Sequence, residues 1–217
     1  MKNIPIKKSY LVVWAALYLG FLILDLITPN SEIVTALKLA GILLCLIYTL
    51  LYSKSLLLRF AFLLTVLADL FLALNNTSIA GVITFCFVQF AHFIRLKNAS
   101  LKISIVLYLG VLLVLAASSF LKIDAHYLLA GIYCSTLIAN IVLAKKSDNM
   151  SFIGFLLFLC CDIMVAVSFL ASTGAISSAL HPVADYLAWM FYLPSQVLIA
   201  CAPAKLPQKS KKFAKAV

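Results

Sequence analysis

Residues 151–172 read SFIGFLLFLCCDIMVAVSFLAS, an apolar run whose one charged residue, Asp162, stands near its middle. A helix crosses the roughly 30 Å hydrocarbon layer of a bilayer in about 20 residues, at about 1.5 Å each, and this run has that length. A carboxyl at such a depth costs about 2.5 to 3.5 kcal/mol on insertion scales, so an acid found there is by default a functional one. The stretch therefore predicts a membrane-spanning helix that carries chemistry inside it.

Cutting the rest of the chain wherever charge, Asn, Ser or Pro clusters interrupt it yields seven more runs of the same kind. The eight expected spans are 9–28, 35–52, 57–75, 79–95, 102–121, 126–144, 151–172 and 184–204. Lys7 and Lys8 precede the first as a secretory signal would require, but its apolar run is long and no small-residue cleavage site follows, so it is expected to stay as a helix. The expected fold is an all-α polytopic membrane bundle over residues 1–204, with a basic, disordered cytoplasmic tail at 205–217. The whole composition agrees: 65% of the 217 residues are hydrophobic and 11% charged. Soluble domains run near half and a quarter, so the excess apolar surface must face lipid. Six cysteines fall inside the apolar runs without CxxC spacing and read as small buried hydrophobes.

Cationic loops are retained in the cytoplasm. Of 17 basic residues only Lys38 and Lys122 fall on the face opposite to the others, which occupy the N-terminus, the second, fourth and sixth connections and the tail. Both termini are thus expected in the cytoplasm. The same distribution explains the net charge of +10 without nucleic acid, because the charge is spread over five separate stretches with no aromatic stacking platform among them. The tail also suits contact with anionic membrane lipid.

A second intramembrane acid, Asp69, sits in the third span between Leu-Thr-Val-Leu-Ala and Leu-Phe-Leu-Ala. Asp25, Asp124, Asp148 and Asp185 lie at span ends or in loops, where solvated or capping roles are expected. Two carboxyls brought together in apolar surroundings hold one proton between them, which makes one an acid and the other a base. The bland alternative is that each Asp only joins neighbouring helices. Other polar side chains fall on helical stripes that would face the same cavity: Gln89 and His92 in the fourth span, Tyr133, Thr136 and Asn140 in the sixth, and Trp189, Tyr192 and Gln196 in the eighth. Pro194 interrupts the last of these and is expected to kink it. No metal or other cofactor is expected. His126 and His181 fall at the outer face while His92 lies roughly 20 Å inward, and there is neither a GxSxG elbow nor a glycine-rich phosphate loop.

Five short pieces, in order and on the corresponding spans, resemble the YhhN-like family of eight-span membrane proteins, whose characterised members are lysoplasmalogenases. They are Lys38 in Ala-Leu-Lys-Leu, Ala68-Asp69, the stretch from Gly81 to Phe90-Ala91-His92, Phe158-Leu-Cys-Cys161-Asp162, and Tyr192-Leu-Pro-Ser-Gln196. Ala68 stands where the family has Gly, and Cys161 where it has Ser. The resemblance implies hydrolysis of the vinyl ether of a lysophospholipid, with Asp69 and Asp162 as the catalytic pair; compactness and short loops point to a bacterial inner membrane. Lys38 would meet the substrate phosphate at the outer face, in a pocket closed below by His92 and Gln196 and lined by Gln89, Tyr133, Asn140 and Tyr192. A small proton-coupled carrier that uses the same two acids is the rival reading, and the oligomeric state is left open.

Overall fold

In a computed structural model the chain is described over residues 8–29, 31–74, 79–96 and 125–203, with residues 110 and 116 between the last two stretches. Apart from residues 110 and 116, the expected fifth span lies outside the described residues, as do the tail at 205–217, Lys122, Asp124 and the side chain of His126. Every regular element among the described residues is a helix: α1 (Lys8–Ile27), α2 (Glu32–Tyr52), α3 (Leu56–Leu74), α4 (Ile79–Leu96), α5 (Ala125–Ser147), α6 (Asn149–Ser172) and α7 (Leu180–Cys201). Six of them, α1 to α6, are long and apolar enough to cross a membrane, α5 through its Leu128–Ser147 portion. Helix α7 falls outside that group because His181, Asp185, Pro194 and Gln196 dilute its apolar residues.

Local chemistry sets the helix ends. Ser31 caps α2, its Oγ accepting from the Val34 N–H at 3.3 Å, so α2 begins three residues before the expected start at 35. Asp148 is the single residue between α5 and α6, and its Oδ1 accepts the Ser151 N–H at 2.7 Å as the α6 cap, the role expected for it. The Arg59 guanidinium donates from Nε and Nη2 to the Ser53 carbonyl at 3.0 and 2.7 Å, satisfying an orphan acceptor just past α2. Beyond α6, Gly174 takes a left-handed turn (φ 77°) and its N–H reaches the Ala171 carbonyl.

Helices α2 to α7 form a ring in which each packs on the next and α7 returns to α2, while α1 lies in the groove between α2 and α7. Contacts at 85 with 133 and at 89 with 140 make α4 and α5 parallel. The outside of the ring is apolar, with Leu56 74% and Leu51 66% exposed, whereas Gln89 and Asn140 are wholly buried. Polar inside and apolar outside is the distribution expected of a body solvated by lipid.

One close approach and one hydrogen bond hold α7 in place. A Cβ at Gly154 would meet the Ser195 carbonyl oxygen at 3.2 Å and the Ile199 nitrogen at 3.3 Å, so α6 and α7 touch backbone to backbone. Pro194 does not interrupt α7, which runs unbroken from Leu180 to Cys201. Its missing N–H frees the Met190 carbonyl, four residues back, and the Tyr18 hydroxyl of α1 donates to that oxygen at 2.9 Å. Tyr18→Phe is therefore expected to lower the melting temperature in detergent, a loss of about 1 kcal/mol. In a Pro194→Ala background, where an N–H can return to Met190, the same change should matter much less. Equal losses in the two backgrounds would contradict this account.

Candidate functional site

The interior of the ring is built from stripes at helical spacing. Phe85, Gln89 and His92 come from α4, Tyr133 and Asn140 from α5, Phe155, Phe158 and Asp162 from α6, and Trp189, Tyr192 and Gln196 from α7. Across this interior the Tyr192 hydroxyl reaches Asp69 on α3 and lies 3.0 Å from Oδ1 and 2.9 Å from Oδ2. The Tyr133 hydroxyl donates to Asp162 Oδ2 at 2.8 Å. Each acid thus has its own tyrosine, and among the described residues no hydrogen bond joins the two carboxyls, so the proton expected to be held between them is not shared directly; Asp69 is buried while Asp162 is half-buried.

The two acid–tyrosine pairs share one wall. The Phe85 ring stands edge-on to Tyr133 at 6.4 Å, to Tyr192 at 6.4 Å and to Phe158 at 6.2 Å between centroids. Cys161 lies within electrostatic reach of both Asp69 and Asp162. Beside them, Asn140 Nδ2 donates to the Gln89 carbonyl at 2.9 Å and to Gln89 Oε1 at 2.8 Å, and the Gln89 side chain lies near the Tyr133 hydroxyl without a hydrogen bond to it. His92 is buried between Phe155 at 5.2 Å and Phe62 at 6.4 Å, edge to face. Gln196 is buried one residue beyond Ser195, to whose Oγ its Nε2 donates at 3.4 Å. Tyr133 and Tyr192 are therefore hydrogen-bonded to the acids and Gln89 and Asn140 to each other, whereas the polar atoms of His92 and Gln196 make no hydrogen bond to any of these among the described residues.

Lys38 is buried, not at an open interface. Its Nζ pairs with Asp25 Oδ1 at 3.5 Å and lies over the rings of Trp189 at 5.0 Å and Phe21 at 5.2 Å. Asp25, expected to be solvated at the end of the first span, is buried because α1 packs into the groove between α2 and α7, where its partner Lys38 also meets the Phe21 ring. Trp189 in turn stands edge-on to Tyr192 at 5.3 Å, so the ion pair and the Asp69–Tyr192 pair are separated by one indole.

A third polar group was not singled out in the sequence. Ser168 Oγ donates to Asp185 Oδ1 at 2.5 Å and lies 2.8 Å from His181 Nδ1, while His181 Nε2 is 3.7 Å from Asp185 Oδ2. These are the residue types of a hydrolytic triad in a different order. The serine proton points at the carboxylate and away from the imidazole, so the histidine is not placed to take it. The cluster ties the end of α6 to the start of α7. The signal for it was the spacing of His181 and Asp185 by four on a helix.

No protein-family model, curated protein or solved structure matches this chain.

The Lys38–Asp25 pair makes a sharp expectation. Lys38→Met alone strands a buried carboxylate and should cost about 3 to 5 kcal/mol, whereas Asp25→Leu with Lys38→Met should restore the melting temperature to within about 1 kcal/mol of the parent or raise it. A double variant as unstable as the single one would show that the pair is not an isolated unit.

Proposed function

We propose that this chain is a membrane hydrolase that cleaves the vinyl ether of a lysoplasmalogen, with Asp69 and Asp162 as general acid and base. The observation that carries the proposal is the pairing just described: two carboxyls inside one ring of helices, each oriented by a tyrosine hydroxyl, with a single phenylalanine as their common wall. The resemblance in the sequence supplies the substrate class. In this reading the chain has eight spans with both termini in the cytoplasm of a bacterial cell, and the parallel course of α4 and α5 is what that count requires.

The chemistry needs one proton delivered to carbon and one taken from water. Protonation of the β-carbon of the vinyl ether gives an oxocarbenium ion. Water then adds to the α-carbon as a carboxylate removes its proton, and the hemiacetal collapses to an aldehyde and a glycerophospho-alcohol. We assign the donor role to Asp162. Among the described residues it accepts at Oδ2 alone, which leaves Oδ1 to carry a transferable proton, whereas the one Tyr192 proton is shared between the two oxygens of Asp69, as suits an ionised base. After one turnover the base has gained the proton the acid lost, and exchange of that proton with solvent resets the pair. The rival carrier reading is less well supported, because alternating-access carriers usually use helices broken at the midplane and, among the described helices, α7 continues through Pro194.

Purified protein in detergent, given a lysoplasmalogen beside its saturated ether analogue, should release aldehyde from the first alone. Asp69→Asn and Asp162→Asn should each lower kcat by about 10² to 10⁴ without unfolding the protein. Hydrolysis of both lipids or of neither would overturn the proposal, as would an Asn variant that keeps full rate.

A further inference from the structure

Below the two acid–tyrosine pairs, the ring contains polar atoms that the chain does not pair. Among the described residues the buried atoms without a hydrogen-bond partner are Gln89 Nε2, His92 Nδ1, Arg95 Nε and Nη2, Asn140 Oδ1 and Ser151 Oγ. Buried polar groups are almost always satisfied, so unpaired ones gathered in a single region ask for a ligand. Gln89, His92 and Arg95 are spaced i, i+3, i+6 along α4, Asn140 is bonded to Gln89, and Ser151 stands in the first turn of α6. His92, Gln89, Asn140 and Ser151 are each 1% exposed or less.

The chemistry of the group is that of an anion site. Three of the unpaired atoms are obligate N–H donors, and two of these, Arg95 Nε and Nη2, form the side of the guanidinium that meets two oxygens of one anion at once. Arg95 lies within electrostatic reach of His92 and of Asp148. Asp148, however, is committed as the α6 cap to the Ser151 N–H and makes no hydrogen bond to Arg95 among the described residues. The cation expected to take the phosphate, Lys38, is already paired with Asp25.

We infer that Arg95, with Gln89, His92 and Ser151 around it, binds the phosphate of the lysophospholipid whose vinyl ether lies between Asp69 and Asp162. The inference rests on the proposed hydrolase and names its head-group subsite. The spacing suits it. Gln89 adjoins the Tyr133–Asp162 pair, and Arg95 is six residues further, about 9 Å along the helix. In an extended lysoplasmalogen the phosphorus and the β-carbon of the vinyl ether are about 8 Å apart at the reach per bond of an extended chain. The phosphate then sits at the end of the ring where α4 and α5 finish, and the alkenyl chain runs the other way, past Phe85 and Phe158.

Binding tests this without turnover. The full chain in detergent is titrated with a saturated 1-O-alkyl lysophospholipid, with the corresponding 1-O-alkylglycerol, which lacks phosphate, and with inorganic phosphate, for the parent, Arg95→Gln, Arg95→Lys and Ser151→Ala. The lysophospholipid is expected to bind the parent at least tenfold more tightly than Arg95→Gln, with Arg95→Lys between them because it keeps the charge and loses the fork. Alkylglycerol should bind all four forms alike and weakly, and phosphate should compete with the lysophospholipid on the parent and not on Arg95→Gln. Unchanged binding in Arg95→Gln, or alkylglycerol bound as tightly as the phospholipid, would overturn the inference and leave the unpaired atoms to water. Phosphate that binds while the lysolipid does not would overturn the lipid as its source. If Arg95→Gln fails to fold, the Lys and Ala variants carry the comparison. Because the probe lipid is not cleaved, failure of the aldehyde assay and failure of this one are separate results.

Discussion

A polar side chain inside a bundle without water must find its partner in the protein, and that constraint organises this structure. Asp69 finds Tyr192, Asp162 finds Tyr133, Asp25 finds Lys38, Asn140 finds Gln89, and the carbonyl freed by Pro194 finds Tyr18. Every one of these pairs joins two different helices. The groups that carry the proposed chemistry are thus also the cross-links that set helix against helix, and the site cannot loosen without the ring loosening. Apolar packing adds closeness, as at Gly154, but lipid competes for apolar surface and gives it little choice of partner.

The same constraint bears on catalysis. In the proposed hydrolase, a carboxyl held by a tyrosine that packs against Phe85 is preorganised, and the substrate would be brought to it. The two pairs differ in how their oxygens are engaged among the described residues, and the proposal assigns donor and base by that asymmetry. Lys38 and Trp189 act at one remove, bracing Tyr192 from the side of α1.

Much of this was legible in the sequence, because it depends on run length and on helical spacing. The seven described helices fall where apolar runs of membrane length lie, and Tyr133 with Asn140, or Tyr192 with Gln196, announce an inward stripe by their spacing alone. Partner choice was not legible. Tyr192 and Asp69 are 123 positions apart, and nothing local to either says that α7 faces α3. Asp25 looked solvated because it stands near the end of its span, and only the docking of α1 into a groove buries it. Arg95 looked like one more cytoplasmic cation in a basic connection. Its guanidinium is half-inside the ring, a fact of side-chain direction that charge counting does not register.

The central claim is that the reaction begins with a proton placed on carbon. Turnover of a lysoplasmalogen in heavy water, stopped early and read by mass spectrometry of the released aldehyde, tests it most directly. The account predicts one deuterium on the carbon next to the aldehyde group, present from the first time point and exceeding the exchange of free aldehyde with solvent. An aldehyde formed without that deuterium would contradict it, since the carbon would then have received its hydrogen from somewhere other than a solvent-exchanged carboxyl.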